Sequence, residues 1–219
     1  PLVFVLSSME CKGINLNISF LSGLSEKLEV DITIFEKGIF KQAGESFNIA
    51  SPKQLGLILF DKLKLVEKPK KTKTGQYSTS EEVLSYLSKD HKIINDILQW
   101  RSLQKLLNTY VKALPKEINP KTKRVHTVYN QAVASTGRLS SNKPNLQNIP
   151  IRTKRGQQIR KAFIPKDNDH FLLAADYSQI ELRIIAALSE DPEMISAFKN
   201  GEDIHQSTAS KVFNVVLIK

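Results

Sequence analysis

The chain has 219 residues, 41% hydrophobic and 25% charged. That composition excludes a fibrous or wholly disordered protein and allows one large domain or two small ones. A net charge of +10 and a pI near 9.6 point to an acidic partner, nucleic acid being the commonest, against the plainer alternative of a merely basic surface. The single cysteine, Cys11, excludes an internal disulfide or a thiolate metal cluster and fits a reducing compartment.

The N-terminal "PLVFVLSSMECKG" has no basic leader before its short apolar run, so it does not read as a signal peptide. It has no initiator Met, and a piece of a longer protein is expected. No apolar run reaches the ~20 residues of a membrane helix, so no membrane partner is expected.

Leu21, Leu24, Leu28, Ile32, Phe35 and Ile39 recur at steps of three and four, predicting one long helix closed by Gly44. Ser51, Pro52 and Gln54 then form a capping box with proline at the first helical position, opening a second helix of about 10 residues. Residues 62–80 hold six lysines, a proline and a glycine with no apolar period. They read as a basic loop, either a solvated linker or a mobile tip that grips phosphates. Thr79 and Glu82 make another capping box. Ile93, Ile97, Trp100, Leu107, Val111 and Leu114 mark the buried side of a long helix stopped by Pro115. Arg101, Lys105, Asn108 and Lys112 form a stripe on another face of it, either wet surface or a polyanion contact.

Beyond Pro120 the pattern changes. "RVHTVYNQAVA", "IRKAFIP" and "FLLAAD" read as strands. Asp191-Pro192 opens one more helix, ending at Gly201, and Asp203 opens another. Helical hairpins followed by mixed strands and helices define an α+β protein in two subdomains. Charge follows the same division. Residues 1–60 carry net −1, residues 61–165 net +15 and residues 166–219 net −4. From Ile118 to Pro165 there are ten Lys or Arg and no Asp or Glu. A solvated surface mixes signs, so this block favours a polyanion, while the acidic last third suits cations.

Three places carry potential chemistry. Asp176 ends an apolar run just before a helix, where it serves either as an N-cap or as a ligand for a hard cation such as Mg²⁺. Glu181 borders the apolar face marked by Ile180, Ile184, Ala187 and Leu188, either as a helix-start carboxylate or facing a ligand beside Asp176. "ASTGRLSSNKPNLQNIPIRTKRG" is nearly all hydroxyl, amide and basic side chains; it is either a polar loop or a set of donors to minor-groove acceptors. His205, sharing a face with Ala209 and Phe213, is either a core-edge histidine or a donor to phosphate.

"TGRLSSNKPNLQNIPIR", "DYSQIELRIIAALSED" and "GEDIH" closely resemble the polymerase domain of the bacterial family A DNA polymerases. "SFNIASPKQLGLILF", "YSTSEEVL" and "INPKTKRVHTVYNQAVASTGRLSS" continue the match in order, over essentially the whole chain. The resemblance implies a thumb over residues 1–115 and a partial palm over 116–219, with its metal-binding motif at 176–183. It implies primer-template duplex DNA and deoxynucleoside triphosphates as partners, two Mg²⁺ ions as cofactors, and a bacterial cytoplasm as location.

By the same resemblance Asp176 binds both ions with the Tyr177 carbonyl. Glu181 is the steric gate against a ribose 2′-OH, and Gln179 and His205 approach the nucleotide. Arg138, Asn145, Gln147, Asn148 and Arg152 contact the duplex. Lys105, Arg101, Asn48 and Ser51 are thumb positions near DNA. The family's fingers helix and second metal carboxylate are not matched, so this stretch is expected to bind duplex without polymerising by itself. Two alternatives stand beside this reading. One is a non-catalytic DNA-binding module. The other is a metal-dependent nuclease using Asp176 and Glu181, for which no further acidic group is placed nearby by the sequence.

Overall fold

A computed structural model describes residues 1–213. By packing, the chain divides into two compact units, Pro1–Phe171 and Leu172 onward. The fold is α+β.

The first unit is built on two helices. Helix α1 (Leu2–Lys12) leads through β1 (Asn15–Leu16) into α2 (Ile18–Ala43). Asn17 caps α2, its Oδ1 accepting from the Phe20 N–H at 2.9 Å. Gly44 ends the helix at φ +75°, a left-handed conformation that costs other residues energy. The predicted stripe is the buried face, with Phe35 half-buried at its edge.

That face packs along α5 (Lys92–Leu106), whose Ile93, Ile97 and Trp100 are buried as expected. Each fully buried leucine or isoleucine is worth roughly 1.5–3 kcal/mol of transfer free energy. Two polar ties register the pair. Gln42 donates to Asp96 at 2.7 Å, and Lys112 pairs with Glu29 at 2.7 Å.

Both helices of the second layer end in π-helical turns. Helix α3 (Pro52–Gly56) continues as Leu57–Lys62, and α5 continues as Leu107–Val111 before a 3₁₀ turn, Leu114–Glu117. The wider spacing shows in Leu63 N–H donating to Ile58 O at 2.9 Å and Lys112 N–H to Leu107 O at 2.8 Å. Between them, α4 (Glu81–Leu87) rests on the buried Leu84.

The remainder of this unit is stitched back onto its start. β2 (Val128–Asn130) pairs antiparallel with β3 (Ser140–Asn142). β4 (Phe163–Ile164), which follows α6 (Lys154–Arg160), pairs antiparallel with β1. Ile14 and Val125 exchange backbone bonds at 2.9 Å. Arg124 reaches the Asn15 side chain at 2.8 Å and the Lys12 carbonyl at 2.7 Å. Gly13 sits at this seam with φ +59°, and a β-carbon there would lie 2.6 Å from the Val125 carbonyl oxygen, so only glycine fits. The change at 115/116 is therefore one of secondary structure, with continuous packing across it.

The second unit contains α7 (Ile180–Ser189), α8 (Pro192–Lys199) and α9 (Ile204–Phe213). Asp191 caps α8 by accepting from the Glu193 and Met194 amides at 3.0 and 2.8 Å. Asp203 caps α9 through the His205 and Gln206 amides at 2.7 and 3.2 Å.

Several expectations need correction. "FLLAAD" takes no regular secondary structure and pairs with no strand among the described residues, and Leu173 is 93% exposed. A strand exists only with a ladder partner. Of "RVHTVYNQAVA" only Val128–Asn130 is strand. The first residues of "IRKAFIP" close α6, and only Phe163–Ile164 is strand. The expected apolar face of α7 is open, with Leu188 82% exposed, and Ala186 is its buried residue. Ser80, accepting from Val83 N–H, caps α4 in place of Thr79, which is buried.

Candidate nucleic-acid interface

One groove in the first unit has a volume of about 1060 Å³; Arg101, Lys105, Asn145, Asn148, Tyr110 and Thr153 are among its lining residues, and Glu81 and Glu117 are its acidic ones. Four residues singled out in the sequence therefore meet there. Lys105 comes from α5, whose buried face orients it. The two asparagines come from the loop after β3.

That loop is held by its own polar groups. Thr127 Oγ1, buried, lies 2.7 Å from Ser141 Oγ, 3.0 Å from Asn142 O and 2.8 Å from Pro144 O. Ser141 Oγ accepts from the Leu146 N–H at 3.1 Å. Asn145 Oδ1 accepts from the Gln147 and Asn148 amides at 3.0 and 3.2 Å. Tyr110 donates its hydroxyl to the Asn148 carbonyl, tying the loop to the end of α5, and burial pushes its phenol above the ordinary range. Buried hydroxyls with their partners satisfied fix a loop more firmly than chain entropy allows otherwise. Sequence reasoning missed Tyr110, Thr127 and Ser141. The available signal was a hydroxyl at a position whose neighbours alternate into the core.

Other expected residues are placed differently. Gln147 spends its amide inside the loop, accepting from Ser141 N–H and donating to Leu139 O, each at 3.0 Å. The Arg101 guanidinium donates to the Thr79 carbonyl at 2.6 Å and lies 3.4 Å from its hydroxyl. Burial pulls Arg101 below its ordinary range while Glu81 pulls the other way; an arginine stays charged regardless. The expected basic stripe is thus divided. Arg101 anchors the root of the basic loop, Asn108 donates to Gln104 at 3.0 Å, Lys112 is paired with Glu29, and Lys105 faces the groove.

Arg101 also lines a second cavity of about 630 Å³ with Trp100, Thr79, Ala50 and Pro52. Trp100 Nε1 is buried without a hydrogen-bond partner among the described residues. Asn48 and Ser51 lie beside this cavity in sequence, and both serve the start of α3. Ser51 Oγ accepts from Gln54 N–H at 3.4 Å; Asn48 N–H donates to Gln54 Oε1 at 2.8 Å. The return arm of the expected capping box lands on Asn48. Arg138 and Arg152 are exposed, in the turns before β3 and α6.

In the second unit Asp176 lies exposed outside any helix or strand, and Tyr177 is 80% exposed. Asp176 is not a helix cap, since α7 begins after Gln179, which takes φ +54°. The Asp203 carboxyl is held below its usual range chiefly by the Gln206 and His205 amides. Glu181 is in the first turn of α7 and exposed; His205 is exposed on α9. The turn thus presents one carboxylate outside any helix and another at a helix start. No group of three His, Cys, Asp or Glu able to hold a metal is found among the described residues. Mg²⁺ is commonly held by one or two carboxylates together with water and phosphate oxygens, and Asp176 and Glu181 are the carboxylates this turn offers.

An amide- and lysine-lined groove in a basic α+β unit defines the chain, by chemistry, as a candidate nucleic-acid-binding protein. The comparisons then give the family. Residues 18–218 match the model for DNA polymerase family A, and the chain belongs to that family. It is 52% identical over 214 residues to a DNA polymerase I of Synechocystis sp., covering 97% of this chain and 22% of that protein. It is 50% identical over 215 residues to a DNA polymerase I of Bacillus subtilis, covering 98% of this chain and 24% of that protein. The structure is similar, at TM-score 0.85 and 41% identity, to the polymerase domain of Pol1 from M. smegmatis, solved in complex with DNA primer-template and dNTP; 97% of this chain and 37% of that one align. The chain spans about a quarter of the length of these curated relatives. No helix among the described residues is long and apolar enough to cross a membrane.

Proposed function

We propose that this chain is the duplex-gripping part of a DNA-directed DNA polymerase, which extends a primer 3′ end on a template by two-metal phosphoryl transfer. Residues 1–115 act as thumb and 116–219 as the first part of the palm. The observation that supports it most is the single groove shared by Lys105, Asn145 and Asn148 in a basic unit. Lysine neutralises backbone phosphate, and amide donors suit the acceptors common to both base pairs in the minor groove. Such a surface grips any sequence, which a template-directed enzyme requires. Arg138 and Arg152 extend it, and Gln147 supports it from within the loop. Arg101, Asn48 and Ser51 contribute beside the second cavity. The M. smegmatis structure, with its primer-template and dNTP, supports the same partners here.

Asp176, with the Tyr177 carbonyl, would supply oxygen to Mg²⁺ in the complete centre, where the bound ions would activate the attacking primer oxygen and steady the leaving pyrophosphate. This stretch binds duplex without polymerising by itself. Glu181 stands against the sugar of the incoming nucleotide, with Gln179 and His205 near its phosphates. The working place is a bacterial cytoplasm.

A fluorescence-anisotropy titration of the 219-residue chain with a primer-template duplex tests the groove. Affinity is expected to fall steeply with salt, and Lys105→Ala to reduce the salt slope by about 1. No binding at low salt refutes the reading. For the metal role, Asp176→Asn in the polymerase that carries this chain is expected to abolish primer extension; turnover close to wild type refutes it.

A further inference from the structure

Helix α4 has two working sides. Glu81 and Ser85, four residues apart, face the groove described above. Val83 and Leu87, also four apart, face a different cavity of about 400 Å³. Its floor is aliphatic, made by Val66, Val83 and Leu87 over the buried Phe60. Lys68 and Lys70 also line it, as does Tyr86, 78% exposed. Glu82 is the acidic side chain in the lining. The segment supplying the lysines, 62–80, carries six of them against the single acid Glu67.

We propose that this cleft is a docking site for a short acidic peptide of a partner protein, one that inserts a leucine or phenylalanine side chain and places aspartates or glutamates against Lys68 and Lys70. An aliphatic floor gives a phosphate nothing, and lysines give an uncharged apolar ligand nothing. The lining therefore calls for both characters in one ligand. Single-stranded nucleic acid also joins charge to flat apolar groups, but it binds by stacking on aromatic faces. Here Phe60 is buried and already tilted against Tyr77 with centroids 5.3 Å apart, which leaves Tyr86 as the single exposed ring in a lining otherwise made apolar by Val66, Pro69, Val83 and Leu87. The volume sits at the small end of ligand cavities and suits one or two inserted side chains. The charge pattern adds steering and specificity. The inference does not depend on duplex binding, because the two clefts use different sides of α4.

The test is fluorescence polarisation on the 219-residue chain with three short labelled peptides. The first has a Leu-Phe pair flanked by Asp and Glu, the second replaces the acids with Lys, and the third replaces Leu-Phe with Ser-Ser. Saturable binding is expected for the first, about tenfold or more weaker for the other two. Tyr86→Ala and the pair Lys68→Glu with Lys70→Glu are expected to weaken the first peptide by a similar factor. All are exposed positions, and unchanged circular dichroism confirms that the fold survives. Equal binding of the three peptides, or affinity within about twofold in Tyr86→Ala, overturns the proposal. So does a single-stranded oligonucleotide that displaces the peptide and loses affinity in the same variants, since the partner class is then nucleic acid.

Discussion

Helices α2 and α7 are both read from an apolar stripe at helical spacing, and they meet different fates. The stripe of α2 is covered by α5 and by the π-helical turn that continues it. The stripe of α7 carries Ile184 and Leu188 in the open, and Arg183 lies over the Phe198 ring at 4.5 Å, a side-chain contact linking it to α8. Periodicity states which face of a helix gains from burial; it does not state that a partner is present. Where the partner lies within the same stretch, as α5 does for α2, sequence and structure agree.

Core truncation tests that contrast most strongly. Ile97→Ala, at a fully buried site, is expected to cost about 2–5 kcal/mol, whereas Leu188→Ala stays within about 0.5 kcal/mol. Urea midpoints at constant slope give both values, and equal costs would break the comparison. A smaller effect is expected at the loop facing the groove. Thr127→Val keeps the shape but strips the hydroxyl from Ser141 and two carbonyls, for about 1–3 kcal/mol. Thr127→Ser restores most of it, and denaturation of the pair checks this. Tyr110→Phe removes one tie, to the Asn148 carbonyl, and is expected to cost about 1 kcal/mol. Hydrogen exchange should rise at the 146–148 amides and leave α2 unchanged.

The last effect is on pH. The Asp203 carboxyl is held below its unfolded value by the α9 amides, so its cap is in force above that value and is lost as pH falls through the lower, folded one. Protection factors against exchange at the His205 and Gln206 amides, corrected for the intrinsic pH dependence, should therefore fall on acidification in that window. An Asp203→Asn variant, which still accepts but does not titrate, should flatten the curve.

The helices were legible because capping and stripe are local. Ser51, Asp191 and Asp203 announce helix starts by chemistry that needs no distant residue. The strands were not. β3 is "SSN", with nothing in its composition to mark it, and it exists because Thr127 and Ser141 bury their hydroxyls together. "FLLAAD" has every local mark of a strand and lacks a neighbour. Of the interface, residue types were legible and directions were not. Lys105, Asn145 and Asn148 converge, while Gln147 and Arg101 turn their donors onto the protein's own backbone.

Helix α4 is only seven residues long and forms a common wall of two clefts, pinned from below by Leu84. A partition of that kind makes the two volumes complementary. A guest that pushes the wall outward on one side narrows the room on the other, and by linkage each occupant then alters the other's affinity by the same factor.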